Sequence, residues 1–365
     1  MKKFLLLIFA FSVLHGGEFS ITFNNLNNEK LSGVPIVFPA ENADDGSFNA
    51  LEIKDGAGKI QPSQWDDLNG NGKVDPEDEI TFIPTLLPGK NVFSCRWIKT
   101  EPAVHSTAVD KSGVLSIKND LVKVSQHTTK LQQRTFFYKN IPVAGAFILE
   151  PRMDNSWKWK NSAITVKKIT SGPLRQILRV EMVKTGTENG KTVKIINDLS
   201  IFSGRQEVLS TLRFVNTSPS QLVQINTVNT GMYQVLSDGR NPIADLNFSA
   251  TAKSSGTEEK IMSGKLQTSS FLLNRPHLRQ VIWGDTVSAN GAFGVTATDN
   301  VQNFLIRSIA GGKSIRMSFL FSFEKAVLWP GRSLSLTWYM IPHHPEDKSV
   351  QQFARTIKNV NKVMQ

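Results

Sequence analysis

Between Asp67 and Asp78 the chain reads Asp-Leu-Asn-Gly-Asn-Gly-Lys-Val-Asp-Pro-Glu-Asp. This spacing matches an EF-hand-like calcium loop, with oxygen-bearing side chains recurring around a glycine at the sixth position. Asp67, Asn69 and Asn71 offer oxygens to one side of a tight loop, and Gly72 takes a bend that a Cβ would obstruct. The Lys73 carbonyl is the backbone ligand, Asp75 binds directly or through water, and Asp78 closes the shell. Pro76 suits a first helical turn begun by Asp75. Asp78 is shorter than the usual glutamate, and amides replace two carboxylates, so Ca2+ affinity is expected to suit millimolar extracellular concentrations. A solvated Asn/Gly turn without metal is the plain alternative. The flanking runs, Gln61–Trp65 and Glu79–Ile83, read as strands, so the loop is expected to join two strands.

A second group of residues could remove a proton α to a sugar carboxylate. That chemistry needs a base and a cationic or hydrogen-bonding clamp. Asn274-Arg275-Pro276-His277-Leu278-Arg279, followed by Trp283, supplies His277 as a base and Arg275 or Arg279 as a clamp. Tyr233 is a further candidate base, and His127 with Arg134 and Tyr138 forms another set. A loop histidine among surface arginines is the plainer explanation of the first set. In Trp157-Lys158-Trp159-Lys160 the rings could stack on sugars while the lysines meet carboxylates. A strand edge with alternate tryptophans in the core gives the same pattern. The adjacent pair His343-His344 would point opposite ways along a strand, a poor metal pair. No nucleophile elbow, P-loop, dinucleotide fingerprint or zinc spacing is visible.

The charge is unevenly placed along the 365 residues, which carry a formal +11. Residues 18–80 hold 13 Asp/Glu and 4 Lys, whereas residues 151–215 hold 12 Lys/Arg and 5 Asp/Glu. The acidic part coincides with the loop that needs anionic oxygens. The basic part could attract an anionic partner. Lys2 and Lys3, then the apolar run Phe4–Leu14 and His15-Gly16-Gly17, have the layout of a signal peptide over 1–17. The run is shorter than the ~20 apolar residues of a membrane span. A periplasmic or secreted location follows, with no transmembrane segment in the mature chain. Nucleic acid is then an unsuitable partner, and an acidic polysaccharide or oligosaccharide fits better. Cys95 is the only cysteine, so no intramolecular disulfide is possible.

These residues must be carried by strands. Alternating or β-rich runs recur at short spacing, among them Phe19–Phe23, Asn91–Trp97, Gln176–Met182, Thr192–Ile196, Val208–Val215 and Ser333–Met340. Leu115-Ser116-Ile117, a turn at Asn119-Asp120 and Leu121–Val124 read as a hairpin. The pattern predicts an all-β chain: a small barrel-like domain over 18–103, a polar linker, and a large many-stranded sandwich over 113–365. Only Asp347–Val363 has helical spacing, with Val350, Phe353, Ile357 and Val360 on one side.

The segments Gly33-Val34-Pro35-Ile36-Val37-Phe38, Pro62-Ser63-Gln64-Trp65-Asp66-Asp67-Leu68-Asn69-Gly70-Asn71-Gly72 and Leu86-Leu87-Pro88-Gly89 resemble the N-terminal barrel of exported bacterial exo-rhamnogalacturonan-lyase-like proteins. Leu115–Leu121 and Ser171-Gly172-Pro173-Leu174-Arg175 resemble the galactose-mutarotase-like supersandwich of many polysaccharide lyases. Larger lyases of this type carry an α/α toroid, for which this chain has no room. The resemblance implies a polysaccharide-lyase-like or other sugar-active protein working on acidic glycans. A non-catalytic glycan-binding protein and a calcium-stiffened cell-surface structural protein are the alternatives, since fold kinship alone assigns no chemistry.

Overall fold

The computed structural model describes residues 18–347 apart from 26–27, 41–47, 49, 100–112, 131–132, 149–158, 162, 187–189, 230–231, 236–246, 255–256, 266–269, 275–281, 289–290, 298–300 and 310–313. The leader over 1–17 and nearly all of the helix expected over 347–363 lie outside the described residues. The described part is all-β, and the chain divides into two compact units.

The described residues of the first unit fall within Met1–Ser106 and Ile169–Gln176. Its strands are β1 (Glu18–Asn25), β2 (Leu31–Ser32), β3 (Ile36–Pro39), β4 (Ala50–Lys54), β5 (Ile60–Gln61), β6 (Ser63–Asp66), β7 (Glu79–Phe82), β8 (Thr85–Leu86) and β9 (Gly89–Ile98). They form a four-stranded sheet in the order β1-β9-β4-β5, a three-stranded sheet β3-β7-β6 and the pair β2-β8. Period-two alternation sends Phe19, Ile21 and Phe23 inward from β1, and Phe93, Cys95 and Trp97 inward from β9. Phe82 and Phe93 meet edge to face, with ring centroids 5.5 Å apart. Val74 from the expected calcium loop packs into the same core.

The second unit holds the remaining strands, with the corner Ile169–Gln176 assigned to the first. In order they are β10 (Val114–Lys118), β11 (Val122–His127), β12 (Arg134–Tyr138), β13 (Ile141–Ile148), β14 (Trp159–Asn161), β15 (Thr165–Ser171), β16 (Arg175–Gly186), β17 (Thr192–Phe202), β18 (Val208–Asn216) and β19 (Val223–Asn229). Then come β20 (Met232–Val235), β21 (Asn247–Ser254), β22 (Thr257–Lys265), β23 (Ser270–Asn274), β24 (Ile282–Ser288), β25 (Gly291–Ala297), β26 (Val301–Ile309), β27 (Ser314–Leu328) and β28 (Ser333–His343). One sheet has nine strands, in the order β10-β11-β12-β13-β20-β27-β26-β23 with β19 on β27. The other has ten, in the order β14-β16-β17-β18-β28-β25-β24-β21-β22 with β15 on β16.

Both sheets feed one core. Val124 and Phe136 of the nine-stranded sheet join Leu199, Phe214, Phe293 and Trp338 of the ten-stranded sheet in a single buried cluster. Each large side chain so buried contributes roughly 1.5–3 kcal/mol. Polar links also join the two sheets. Arg134, nearly inaccessible, donates from Nε to Gln126 Oε1 at 2.9 Å and from Nη1 to Asn197 Oδ1 at 3.0 Å. Asn197 in turn donates to Ser210 Oγ at 2.9 Å.

Cys95 is buried in the first core, and burial pushes its thiol up to about 12. Only a thiolate reacts with disulfide reagents at an appreciable rate. Native protein at pH 8 is therefore expected to leave Cys95 unlabelled by a chromogenic disulfide reagent, and denaturant should release one equivalent of reactive thiol. Rapid labelling without denaturant would contradict the placement of Cys95.

Candidate functional site

The loop from Asp67 to Asp78 joins β6 to β7, so its two ends are held by adjacent antiparallel strands. Gly70 and Gly72 adopt φ of 76° and 73°, the left-handed conformation that glycine enters at little cost. Asp67 accepts from the Gly70 and Gly72 amides at 2.6 and 2.8 Å. The side-chain amide nitrogens of Asn69 and Asn71 each lie 2.7 Å from Asp75 Oδ2. The Oδ1 atoms of Asn69 and Asn71 accept from the Asn71 and Lys73 backbone amides at 3.0 and 2.7 Å. Desolvation raises the Asp75 carboxyl, but hydrogen bonds from Asn69, the Glu77 amide and Asn71 outweigh it and hold it below the usual range.

Asp78 is placed differently. It is fully buried, and its carboxylate accepts from Leu68 N at 2.9 Å, Trp65 Nε1 at 3.0 Å and Asp75 N at 3.3 Å. Burial pushes its carboxyl up despite these bonds. Asp78 thus ties the loop's two ends together from beneath: Oδ2 accepts from both Trp65 and Asp75, and Oδ1, which accepts from Leu68, keeps a further lone pair. The all-oxygen donor set of Asp67, Asn69, Asn71, the Lys73 carbonyl, Asp75 and Asp78 suits a hard cation such as calcium. Among the described residues no three His, Cys, Asp or Glu side chains are grouped as a metal site, because the convergence here involves two amides and one carboxylate.

Directly before the loop, a buried polar network joins two sequence segments of the first unit. Gln64 Oε1 accepts from the Leu174 and Arg175 amides at 2.8 and 3.0 Å, and Gln64 Nε2 donates to the Arg175 carbonyl at 2.8 Å and to Asp66 Oδ1. Arg175 Nη1 reaches Asp66 Oδ2 at 3.2 Å and Glu79 Oε2 at 2.6 Å. Thr81 Oγ1 donates to Asp66 Oδ2 at 2.7 Å. A Cβ on Gly172 would collide with the Gln64 side chain, so the turn beside it requires glycine. Burial pushes the Asp66 carboxyl above the ordinary aspartate range, against the opposing pull of Arg175. Pro62–Asp66 and Ser171–Arg175, which carry the sequence resemblance, therefore meet in space.

A third arrangement escaped the sequence reading. On the face of the ten-stranded sheet opposite the core, Arg179 grips both oxygens of Asp198, from Nε at 2.6 Å and Nη2 at 2.9 Å. Arg213 reaches the same carboxylate, with Nη2 at 3.2 Å from Oδ2. Glu181 lies 3.4 Å from Lys194, 3.8 Å from Lys167 and 3.9 Å from Arg179. Four cations thus surround two carboxylates. Each residue alone reads as an ordinary outward polar position, and only the register of β16, β17 and β18 assembles them.

Among the described residues, His127, Arg134 and Tyr138 do not form one site. Arg134 and Tyr138 are buried within the sandwich, whereas the His127 ring sits beside Thr129, 3.2 Å from its amide. His343 is buried, with Nδ1 2.7 Å from the His344 carbonyl. Tyr233 lies on β20 opposite Ala146 and Met317. Trp159 lies on β14 opposite Gly186. Arg275, His277, Arg279, Trp157 and Lys158 lie outside the described residues.

No family model matches the chain, and no curated protein matches it in sequence. Among solved structures it is similar to the Slr1438 protein of Synechocystis sp. PCC 6803, at 10% identity and a TM-score of 0.45 over 66% of this chain and 99% of that one. It is also similar to a galactose mutarotase related enzyme from Lactobacillus acidophilus, at 10% identity and a TM-score of 0.40 over 64% and 98%. A third is the GH36 α-galactosidase AgaB of Geobacillus stearothermophilus, at 11% identity and a TM-score of 0.41 over 66% of this chain and 41% of that one.

Removing Asp66 would take a carboxylate partner from the buried Arg175 guanidinium and an acceptor from both the Gln64 amide and the Thr81 hydroxyl. Asp66→Ala is expected to destabilise the first unit by roughly 3–5 kcal/mol in urea unfolding, as when one partner of a buried pair is deleted. A loss below about 1 kcal/mol, the scale of an exposed pair, would show that the network carries little stability.

Proposed function

We propose that this is an exported carbohydrate-active protein that acts on acidic polysaccharide or oligosaccharide, with calcium stiffening the loop of its first unit. The observation that supports this most is the gathering of cations on the outer face of β15 to β18, where Lys167, Arg179, Lys194 and Arg213 surround Glu181 and Asp198. A glycan bearing carboxylates is drawn to such a face, and the attraction weakens with salt. The motif-based resemblance to lyase-like proteins points to the same substrate class.

The chemistry proposed is β-elimination. An arginine clamp, Arg275 or Arg279, would hold the uronate carboxylate and stabilise charge spreading onto it as the α-proton leaves. His277 would take that proton, with Tyr233 the second candidate base, and the glycosidic C–O bond would break as the double bond forms. Trp157, Lys158 and Trp159 would hold flanking sugar rings. The second reading is a glycan-binding protein without turnover. It is favoured by the cationic face itself, where the residues joined around Glu181 and Asp198 are arginine and lysine, with no histidine among them. Incubation with pectic, ulvan and glycosaminoglycan panels distinguishes the two. Absorbance from an unsaturated uronate product means turnover, and binding without such absorbance means recognition alone. His277→Ala is expected to abolish turnover while preserving most of the affinity, because a base acts mainly in the transition state. Full turnover by that variant would remove His277 from the mechanism.

Asp67, Asn69, Asn71, the Lys73 carbonyl, Asp75 and Asp78 would hold the ion, whose contribution is to fix loop geometry. Millimolar calcium is expected to raise the melting temperature, since a ligand of the folded loop stabilises it by mass action. Asp67→Ala should remove this effect, and Glu77→Ala, at an exposed position outside the ligand spacing, should retain it. An unchanged melting temperature together with no heat of calcium binding would overturn the assignment.

A further inference from the structure

The cationic face has an internal order that singles out one of its residues. Arg179 is almost buried and already meets both oxygens of Asp198, at 2.6 and 2.9 Å. This two-point contact between a guanidinium and a carboxylate leaves Asp198 with little charge to offer. Arg213 leans on the same carboxylate through a single longer contact, 3.2 Å, and its side chain remains 28% exposed. Its orientation is therefore set by Asp198, while part of its guanidinium remains open to solvent.

The register supplies neighbours for that charge. Arg213 lies opposite Ser335 on β28, and Thr211 lies opposite Thr337. Thr211 also lies opposite Asp198 on β17. All of these alternate away from Leu212, Leu336 and Trp338, which point into the core. Directly opposed side chains stand ~5 Å apart and diagonal ones ~7 Å. One guanidinium and three hydroxyls thus form a compact quadrilateral, open to solvent along Ser335 and Thr337, both exposed. Lys194 stands on the same face, two residues before Ile196, the other cross-strand neighbour of Arg213. A fixed cation bordered by hydroxyls, with the Lys194 ammonium on the same face beside Glu181, matches a sugar ring carrying one carboxylate. A bare anion would need no hydroxyl row, and a neutral sugar would leave the guanidinium unanswered.

We propose that Arg213, Thr211, Ser335 and Thr337 form a uronate-binding subsite on the outer face of the ten-stranded sheet, with Arg213 receiving the carboxylate. Arg179 and Asp198 act as positioning residues that hold the guanidinium in place. The proposal rests on the acidic-glycan reading and names the residues that would recognise the acid.

The test is titration calorimetry of the full chain with short oligomers of galacturonate, glucuronate and mannuronate, and with their methyl esters, which keep the sugar and lose the charge. Native protein is expected to bind at least one acid clearly more tightly than its ester. Arg213→Gln should weaken the acid by about ten- to a hundredfold, the loss of a hydrogen bond to a charged group, and leave the ester unchanged. Arg213→Lys should recover part of that loss. Thr337→Val and Ser335→Ala, at exposed positions that should not disturb folding, should each weaken the acid severalfold. Lys123→Ala, on the other sheet, should have no effect. Acid binding that is equally tight in native, Arg213→Gln and Thr337→Val proteins would overturn the subsite while sparing the acidic-glycan reading. No binding of any uronate by the native protein would overturn both. If Arg213→Gln fails to fold, the Thr337 and Ser335 variants decide the matter, and unchanged affinity in both would overturn the subsite.

Discussion

The period-two alternation of the strand backbone is the constraint on which everything in the large sandwich depends. Along β17, Val193, Ile195, Leu199 and Ile201 enter the core, so Lys194 and Asp198 must leave it. Along β18, Leu212 and Phe214 enter, so Thr211 and Arg213 must leave. A one-residue slip would turn Lys194, Asp198 and Arg213 into the apolar core and send six apolar side chains out of it, a change far beyond the stability of an ordinary domain. The cost of that slip fixes the register. The register, in turn, places Arg179, Asp198 and Arg213 within reach of each other on three different strands.

Two buried polar clusters show how this chain handles the exceptions. Arg134 and Asn197 lie on core-facing positions, and they face each other with Gln126 and Ser210 as further partners. In the first unit, Gln64, Asp66 and Arg175 meet with Glu79 and Thr81. Breaking such a group costs far more than its net contribution to stability, because the survivors stay buried without partners. These clusters therefore specify one arrangement of their strands. The contact between Pro62–Asp66 and Ser171–Arg175 has this structural meaning.

Local pattern made the fold legible. The hairpin of Leu115–Ile117 with Leu121–Val124 is β10 with β11, paired as Ile117 with Val124. Phe19–Phe23 and Asn91–Trp97, read as strands from their alternation, lie in β1 and β9. The loop between β6 and β7 was visible because all its ligand candidates fall within twelve consecutive residues. The cationic face was not visible, because Arg179, Asp198 and Arg213 are separated by 19 and 15 positions and meet only through sheet pairing. Likewise Gln64 and Arg175, 111 positions apart, gave no sign of contact beyond both standing in recognisable motifs. Arg134 and Tyr138 looked like a polar-aromatic set beside His127, but strand alternation turns both inward as part of the interior.

The central claim is that an acidic sugar is recognised on the outer face of β17, β18 and β28. Its most direct test is an amide chemical-shift map of the full-length protein titrated with a uronate oligosaccharide. The account predicts that the largest shifts cluster at residues 194–198, 211–213 and 335–337, and that they fade as salt is raised. Shifts confined to residues 18–99, or spread evenly over both sheets, would contradict it.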